Sequence, residues 1–528
     1  MTGIQPTMLR PAPARPAWQT VLGFVLVLPA FILLLITYVE PTVWTIRSSF
    51  STFTGVRFSP AGSTSGFDNY SRAFDAGLGD NLLYALSLAA PQLAFVLILA
   101  PLLAWAASRS GRIGRSSTRA VLTIPLAAYA PMAIALALRV SYFKDEPSAR
   151  VSYWLGTFGF VVAAATLVYL AAFRSRRLVQ PLVVAAVILV LAVLSAGLQE
   201  FTYSYVAGFG DRTDQTPAGA AVQQSLVFFR PGVGAAASVI MLLPLLLFGA
   251  LATVLIIRSG LRLESDPRPP VDPPTRSAAP WTVTGILLLM VLAVTLSALW
   301  PWLSNITNES PSSRSTAVNT WVPPLISTAV AVTVAALAAF GISGLRPLGR
   351  HSEWLLLPFG LFLFVGVAPL ALRAFASGQT AHRLNTFLAL IPPSRVAIPA
   401  LFVLALLFRG QALRRDVSLQ EGRPAPWSPL ILPAVPMLAL AYAATWLSQV
   451  QNVLWPYITA AVPDHMTAHV QLIQVLQTFD VDHLPYGKLL PLPLLVLLLL
   501  AGVATQLFYL DRVALRAGLP ERDHPPRT

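Results

Sequence analysis

The side chains best suited to chemistry in this chain fall in two short runs. The first is Gln199, Glu200, Tyr203 and Tyr205, within QEFTYSY, and the second is Gln449, Gln451, Asn452 and Trp455, within QVQNVLW. Amides and a carboxylate hydrogen-bond to hydroxyl groups, and aromatic faces cover the apolar side of a ring, so both runs suit a hydroxylated solute. The competing expectation is helix caps and an aromatic belt, because Trp and Tyr concentrate where membrane meets water. A third cluster, PDHMTAHVQLIQVLQTFDVDH at 463–483, spaces His465 and His469 four apart, with Asp464, Asp480, Asp482 and His483 nearby. Zinc enzymes with two such histidines place Glu after the first, and Met466 stands there instead, so a solvated outer loop is the expectation and no metal is. There is no cysteine and no G-x-x-x-x-G-K-[ST] phosphate cradle. Neither an enzyme nor a cofactor is therefore expected, and any ATP must be bound by another subunit.

The elements that must hold these residues are apolar helices. Of 528 residues 55% are hydrophobic and 11% charged, with mean hydropathy +0.67, whereas a soluble protein carries about 25% charged residues. Twelve stretches have the length and lack of charge of a membrane helix, at 19–39, 81–107, 120–141, 154–173, 180–198, 233–257, 281–303, 320–342, 353–372, 385–408, 429–448 and 489–510,. The fold class expected is an all-α polytopic membrane protein of about 12 transmembrane helices. Prolines within spans, such as Pro91, Pro101 and Pro244, are tolerable where neighbouring helices satisfy the freed carbonyls. The first stretch is too long in its apolar core, and lacks the small-residue site, to be a cleaved signal; it reads as an anchor.

Net charge is +14, carried by Arg with only two lysines, Lys144 and Lys488. Placing both termini in the cytoplasm puts most of the 36 basic residues on that side, as topology demands,. Nucleic acid is excluded as a partner, because the arginines are spread over separate segments with no contiguous basic face. The segment RSGLRLESDPRPPVDPPTRSAAP at 258–280 is rich in Pro and charge and reads as an extended cytoplasmic linker,. It divides the chain into a first part, 1–257, and a second, 281–528, with six stretches each. An even number per part gives both the same orientation, as in parallel repeats about an axis along the membrane normal.

Both parts resemble the permease subunits of bacterial ABC importers for sugars and glycerol phosphates, the binding-protein-dependent inner-membrane components. In the first part, VLPAFILLLITYVEPTVWTIRSSFSTFTG at 27–55 resembles the opening helix, and GFDNYSRAFD at 66–75 is similar to the G-x-D-N-Y loop. FFRPGVGAAASVIMLLPLLL resembles the closing helix. In the second part, NTWVPPLISTAVAVTVAALAAFGISGLR at 319–346, RLNTFLALIPP at 383–393 and SQVQNVLWPYI at 448–458 follow the companion subunit in order. The resemblance implies two pseudo-symmetric six-helix halves fused in one multi-pass chain of the bacterial inner membrane. It implies a small polar solute, a sugar first of all, moved inward by alternating access between the halves. It also implies separate ATPase subunits and an extracytoplasmic solute-binding protein that meets the loops around 40–80, 199–230 and 449–488.

One element departs from the family pattern. The cytoplasmic loop that couples to the ATPase is reduced in the first part to RSRRLVQP at 174–181, with no acidic residue, no Gly and no room for a helix. In the second part, 409–433 is long enough, with Asp416 for the family's Glu, Gly422 for its Gly and Leu432-Pro433 for its closing pair, and Glu421 belongs to the same coupling loop. Two alternatives remain open: an ion-driven 12-helix secondary transporter, and a degenerate permease kept as a non-transporting membrane partner. The first needs carboxylates inside the membrane, and the spans contain almost none.

Overall fold

The computed structural model describes residues 16–53, 58, 60–141, 149–175, 177–208, 215–265, 278–308, 314–421, 426–477 and 484–518. In the first half of the chain, besides short helices at Asp68–Asp75 and Pro217–Val222, the helices are α1 (Ala17–Ser49), α2 (Leu78–Arg109), α3 (Gly111–Ala127), α4 (Pro131–Ser141), α5 (Ala149–Ala172), α6 (Val179–Gln199), α7 (Thr202–Gly208) and α8 (Pro231–Ser259). In the second half they are α9 (Ala279–Leu303), α10 (Ser315–Leu345), α11 (Ala371–Thr380), α12 (Ile398–Gln420), α13 (Ser428–Val450), α14 (Leu454–Thr459), α15 (Ala468–Gln477) and α16 (Leu492–Arg512). Two small antiparallel pairs complete the fold: β1 (Ser51–Phe53) with β2 (Pro60–Thr64), and β3 (Arg262–Ser265) with β4 (Val513–Arg516).

Among the described residues, nine helices are long and apolar enough to cross a membrane, or ten if the bent pair α3–α4 is one span. The chain is an all-α polytopic membrane protein. The expected count of twelve is corrected at two places. The stretch 353–372 is not a helix but a chain of short turns, Gly349–Leu356, Leu357–Gly360 and Ala368–Leu370, leading into α11. Pro358 and Pro369 each remove a donor and crowd the preceding turn, and Gly360 and Gly366 weaken what is left. The stretch 385–408 is helical only from Ile398, because Pro392 and Pro393 interrupt it and Asn385 takes a positive φ of 59°. Beyond residue 408 α12 continues through the charged sequence to Gln420.

Proline spacing also shapes the continuous spans. A proline ring collides with the carbonyl four residues earlier. Widened π turns stand at Leu35–Val39, Phe95–Leu99 and Phe340–Leu345, around Thr37, Leu97 and Ser343, the residues four before Pro41, Pro101 and Pro347. The sharper break between α3 and α4 bends the chain by 81° just ahead of Pro131. Past the bend, Met132 to Leu138 are all buried, so this part of α4 sits inside the bundle.

Packing is exchanged between the two halves of the chain. The first helix, α1, lies on α10, while α9, the first helix after the linker, lies on α2 and α5. Helix α8 packs on the broken segment around Leu357–Gly360, and α16 packs on α3. Gly249 makes the first of these approaches possible, because a Cβ there would run into the carbonyl oxygens of Gly360 and Leu361. The outward sides are apolar: Leu497, Leu500 and Phe508 of α16 are exposed, as a lipid-facing surface requires,.

At the end of the bundle where α8 and α16 finish, the two strands cross over as well. β3 packs on α12 and β4 on α5. Part of the expected linker, 262–265, is thus a paired strand, and its remainder at 266–277 lies outside the described residues. Glu264 on β3 is bound by Arg262 at 2.7 Å, Arg516 at 2.8 Å and Arg414 at 3.0 Å. Burial pushes its carboxyl up, but the three guanidinium groups outweigh that and hold it below the usual carboxylate range,. Asp511 is bound in the same way by Arg115 at 2.9 Å and Arg119 at 3.3 Å. Glu353 meets Arg409 at 3.4 Å.

A folded pKa below the unfolded one means that Glu264 contributes fully above the unfolded value and loses its contribution as pH falls through the folded one. Thermal melts of the purified chain should therefore show stability dropping at acid pH, with the Glu264→Gln variant dropping less over that window. At neutral pH the variant should lose up to about 3 kcal/mol, the cost of breaking a buried pair discounted because Arg414 and Arg516 are about one-third exposed,.

Candidate functional site

The two broken regions, the α3–α4 bend and the segment 361–367, face each other across the middle of the bundle. Between them lies a cavity of about 990 Å³. Its long wall is one side of α13, from Pro436 through Ala439, Ala443 and Leu447 to Ser448. The opposite wall is the α16 face of Leu498, Ala501, Gly502, Thr505 and Gln506. Small side chains on both walls leave the space open. Ligand cavities are typically about 300–1,000 Å³, apolar for the most part, with a few convergent polar groups.

The polar groups gather where α6 and α13 end. Gln199, Glu200, Tyr203, Gln451 and Asn452 all line this cavity, so the structure brings together five of the eight residues singled out from sequence. Gln449, Asn452 and Trp455 line a second chamber of about 620 Å³. It shares Tyr38, the segment 365–367, Pro399, Leu440, Ala444, Ser448 and Asn452 with the first. Tyr205 lies outside both linings; its hydroxyl donates to that of Tyr457 at 2.9 Å, joining the two halves of the chain.

Each of these side chains also has a task in the fold. Gln199 Nε2 donates to the carbonyl of Phe364 at 2.8 Å, and its Oε1 accepts the Gly366 N–H at 2.7 Å. The broken segment is thereby held by a residue at the end of α6. Glu200 is buried, and its carboxylate accepts the backbone N–H groups of Tyr203 and Ser204 at 2.5 and 3.1 Å, which caps α7,. Burial pushes its carboxyl up, against the pull of those bonds,. Asn452 caps α14 in the matching way, accepting the Trp455 N–H at 3.1 Å. The Trp455 indole donates to the Ala389 carbonyl at 2.9 Å, and Gln451 donates to that of Leu489 at 3.1 Å. Thr328 donates to Gln449 at 3.3 Å. The capping expectation thus holds for Glu200 and Asn452, and both still line the cavity.

Aromatic residues of the spans complete the lining, and sequence analysis missed them. Tyr129, at the α3–α4 bend, stacks on Phe160 with ring centroids 4.2 Å apart and planes 20° apart. Tyr153 meets Tyr203 edge to face at 5.5 Å. A tyrosine two residues before Pro131 in an otherwise apolar stretch was the available signal. Among the described residues no group of three or more His, Cys, Asp and Glu has the arrangement of a metal site. His469, expected on a solvated loop, is instead buried on α15, and Asp480, Asp482 and His483 lie outside the described residues.

The expected coupling residues take other positions. Asp416 is on α12, not on a loop, and pairs with Arg346 at 3.3 Å. Glu421 ends that helix, and Gly422 lies outside the described residues. Leu432 and Pro433 fall within α13, where Leu432 is exposed and the Pro433 carbonyl accepts the Tyr509 hydroxyl at 2.5 Å. In the first half, no helix stands between α5 and α6 among the described residues.

The fold and cavity define a multi-pass membrane protein with an internal chamber between its two halves. No family model, no characterised protein and no solved structure matches the chain.

Replacing Gln199 by Leu removes both bonds to the 361–367 segment and leaves the Gly366 amide without its partner. The expected loss is about 1–3 kcal/mol, read as a lower melting temperature in detergent. The Tyr205→Phe variant, which deletes one half-buried hydroxyl pair, should cost about 1 kcal/mol or less,.

Proposed function

We propose that this chain is the fused permease component of a bacterial ABC importer. Its two pseudo-symmetric six-helix halves, 1–257 and 281–528, enclose a passage that moves a small polar solute, a sugar first of all, inward by alternating access. Separate ATPase subunits supply the power, and an extracytoplasmic solute-binding protein delivers the cargo. The chain lies in the inner membrane with both termini in the cytoplasm.

The observation that carries this reading is the reciprocal packing around the larger cavity. In order, α1, α2, the bent α3–α4, α5, α6 and α8 correspond to α9, α10, the broken 349–380, α12, α13 and α16. Each half lends its first and last helices to the other. Each fifth helix is followed by a short helix capped by a polar cavity residue, Glu200 or Asn452. Each sixth helix is followed by a strand, and the two strands pair. Binding sites at the interface of repeats, beside broken helices, are the arrangement expected of a transporter. Stacked Tyr129, with the amide of Asn452, supplies a platform and hydrogen bonds for a sugar ring.

A second reading, a permease-derived partner that no longer transports, is favoured by one contact. Arg174, in the first-half turn that would meet an ATPase, donates to the backbone carbonyls of Asp511 and Val513. That turn is therefore packed against β4.

Purification of the tagged chain from native membranes separates the two. Importer function requires an ATPase and a solute-binding protein to copurify, and sugar uptake to be lost on deletion. The Glu421→Arg variant, at the end of α12, should retain at least tenfold less ATPase. A chain that purifies without an ATPase, and whose deletion leaves uptake intact, would overturn the importer reading and leave the partner.

A further inference from the structure

Amides and one guanidinium converge at the end of the bundle opposite the β3–β4 pair. There a pocket of about 300 Å³ lies between the short helix Asp68–Asp75, the start of α2, the turn Gln223–Val227 and the first part of α8. Its polar lining is Asn81, Gln215, Gln223, Gln224 and Arg230, with no Asp or Glu among the described lining residues. Arg230 is exposed, and its guanidinium has no ion pair or hydrogen bond within the chain. Asn81 is only 5% exposed, its side-chain amide likewise has no partner, and the surface that it keeps opens on the pocket. Phe229 takes a positive φ of 53°, a strained state for a bulky residue, and the Arg230 N–H donates back to the Gln224 carbonyl at 2.8 Å,. This turn sets Phe228 and Arg230 on the pocket and leaves Phe229 exposed beside it.

The lipid-facing side of α2 fixes the depth. Exposed apolar residues run along it from Leu83 through Leu86, Leu97 and Ile98 to Leu102. The helical rise over that stretch is about 28 Å, close to the thickness of the hydrocarbon core. Trp105 and Arg109, stacked on each other, stand just past one edge, and Asn81 stands just past the other. The pocket is therefore level with the phospholipid headgroups. Phe74, Val227 and Phe229 are exposed, each next in sequence to a lining residue, so the pocket has an apolar rim.

A guanidinium with amides around it suits a phosphate that carries hydroxyls, and the rim suits acyl chains. We propose that this pocket holds the headgroup of an anionic phospholipid. Arg230 takes the phosphate, the amides of Asn81 and Gln223 take headgroup hydroxyls, and Phe74, Val227 and Phe229 lie against the chains. Asp75 and Asp80, the exposed acids nearby in sequence, are outside the lining. A free phosphate ester would satisfy Arg230 but leave the rim uncovered. The site is one for lipid and not for cargo, and it does not rest on the importer reading.

Because the chain has no cysteine, a single reporter can be placed at Ala76→Cys, which is exposed and lines the pocket. The full chain is reconstituted in phosphatidylcholine nanodiscs, with or without phosphatidylglycerol, and labelled with N-ethylmaleimide. Phosphatidylglycerol should slow labelling at least about fivefold, while an Ala439→Cys reporter in the larger cavity should be indifferent to the lipid. Adding Arg230→Gln should abolish the slowing, and Arg230→Lys should keep most of it. Arg47→Gln removes another exposed cation at the same end of the bundle and should leave the slowing intact. In phosphatidylcholine the melting temperature of Arg230→Gln should match the parent's, and phosphatidylglycerol should raise only the parent's. No slowing by phosphatidylglycerol would overturn the site. Equal loss of slowing in Arg47→Gln and Arg230→Gln would do the same, since it signifies diffuse attraction to a charged surface. Equal slowing by glycerol 3-phosphate in phosphatidylcholine nanodiscs would overturn the lipid as occupant.

Discussion

A backbone amide surrounded by hydrocarbon has no water to turn to, and this constraint organises the middle of the molecule. Wherever a span is broken, the freed N–H and C=O groups must be met by side chains. Gln199 meets Phe364 and Gly366, Tyr38 donates to the Val396 carbonyl, Ser327 to those of Pro392 and Ser394, and Trp455 to that of Ala389. The breaks and the polar side chains are thus two faces of one requirement. Their coincidence with the cavity follows, because only a protein-lined interior can tolerate irregular backbone at that depth.

The continuous spans were legible in the sequence because an uninterrupted apolar run has one outcome in lipid. The runs at 353–372 and 385–408 were as hydrophobic as the others, and hydropathy alone placed helices there. Local chemistry decided otherwise: Pro358, Gly360, Gly366 and Pro369 in one, Pro392 and Pro393 in the other. The polar runs after α6 and α13 were recognisable by residue type, and most of them reach the cavity. Tyr129, Tyr153 and Phe160 were not, since an aromatic residue inside a span has the same signature whether it faces lipid, core or chamber. Only the bend beside Pro131 turns Tyr129 inward.

Charge followed a different logic from the one that topology alone implies. Arg115, Arg119, Arg262, Arg346, Arg409 and Arg414 sit on segments expected as basic loops, yet each binds a carboxylate. Glu264 fastens β3 to β4 and α12, Asp511 fastens α16 to α3, and Glu353 fastens the Gly349–Leu356 turn to α12. The end of the bundle rich in arginine is therefore a fastening as well as a determinant of orientation. Its acidic members are few, so each holds several cations.

The pairing of β3 with β4 has a consequence for how the protein is made. β3 leaves the ribosome directly after α8, but its partner strand follows only when α9 to α16 have been synthesised. Until then one edge of β3 is open and the Glu264 carboxylate lacks Arg414 and Arg516. Insertion of the first helices into lipid can proceed one by one, yet their final registration waits for the last strand to arrive. Maturation is in this sense a closing of a clasp, in which β4 completes an assembly begun by β3.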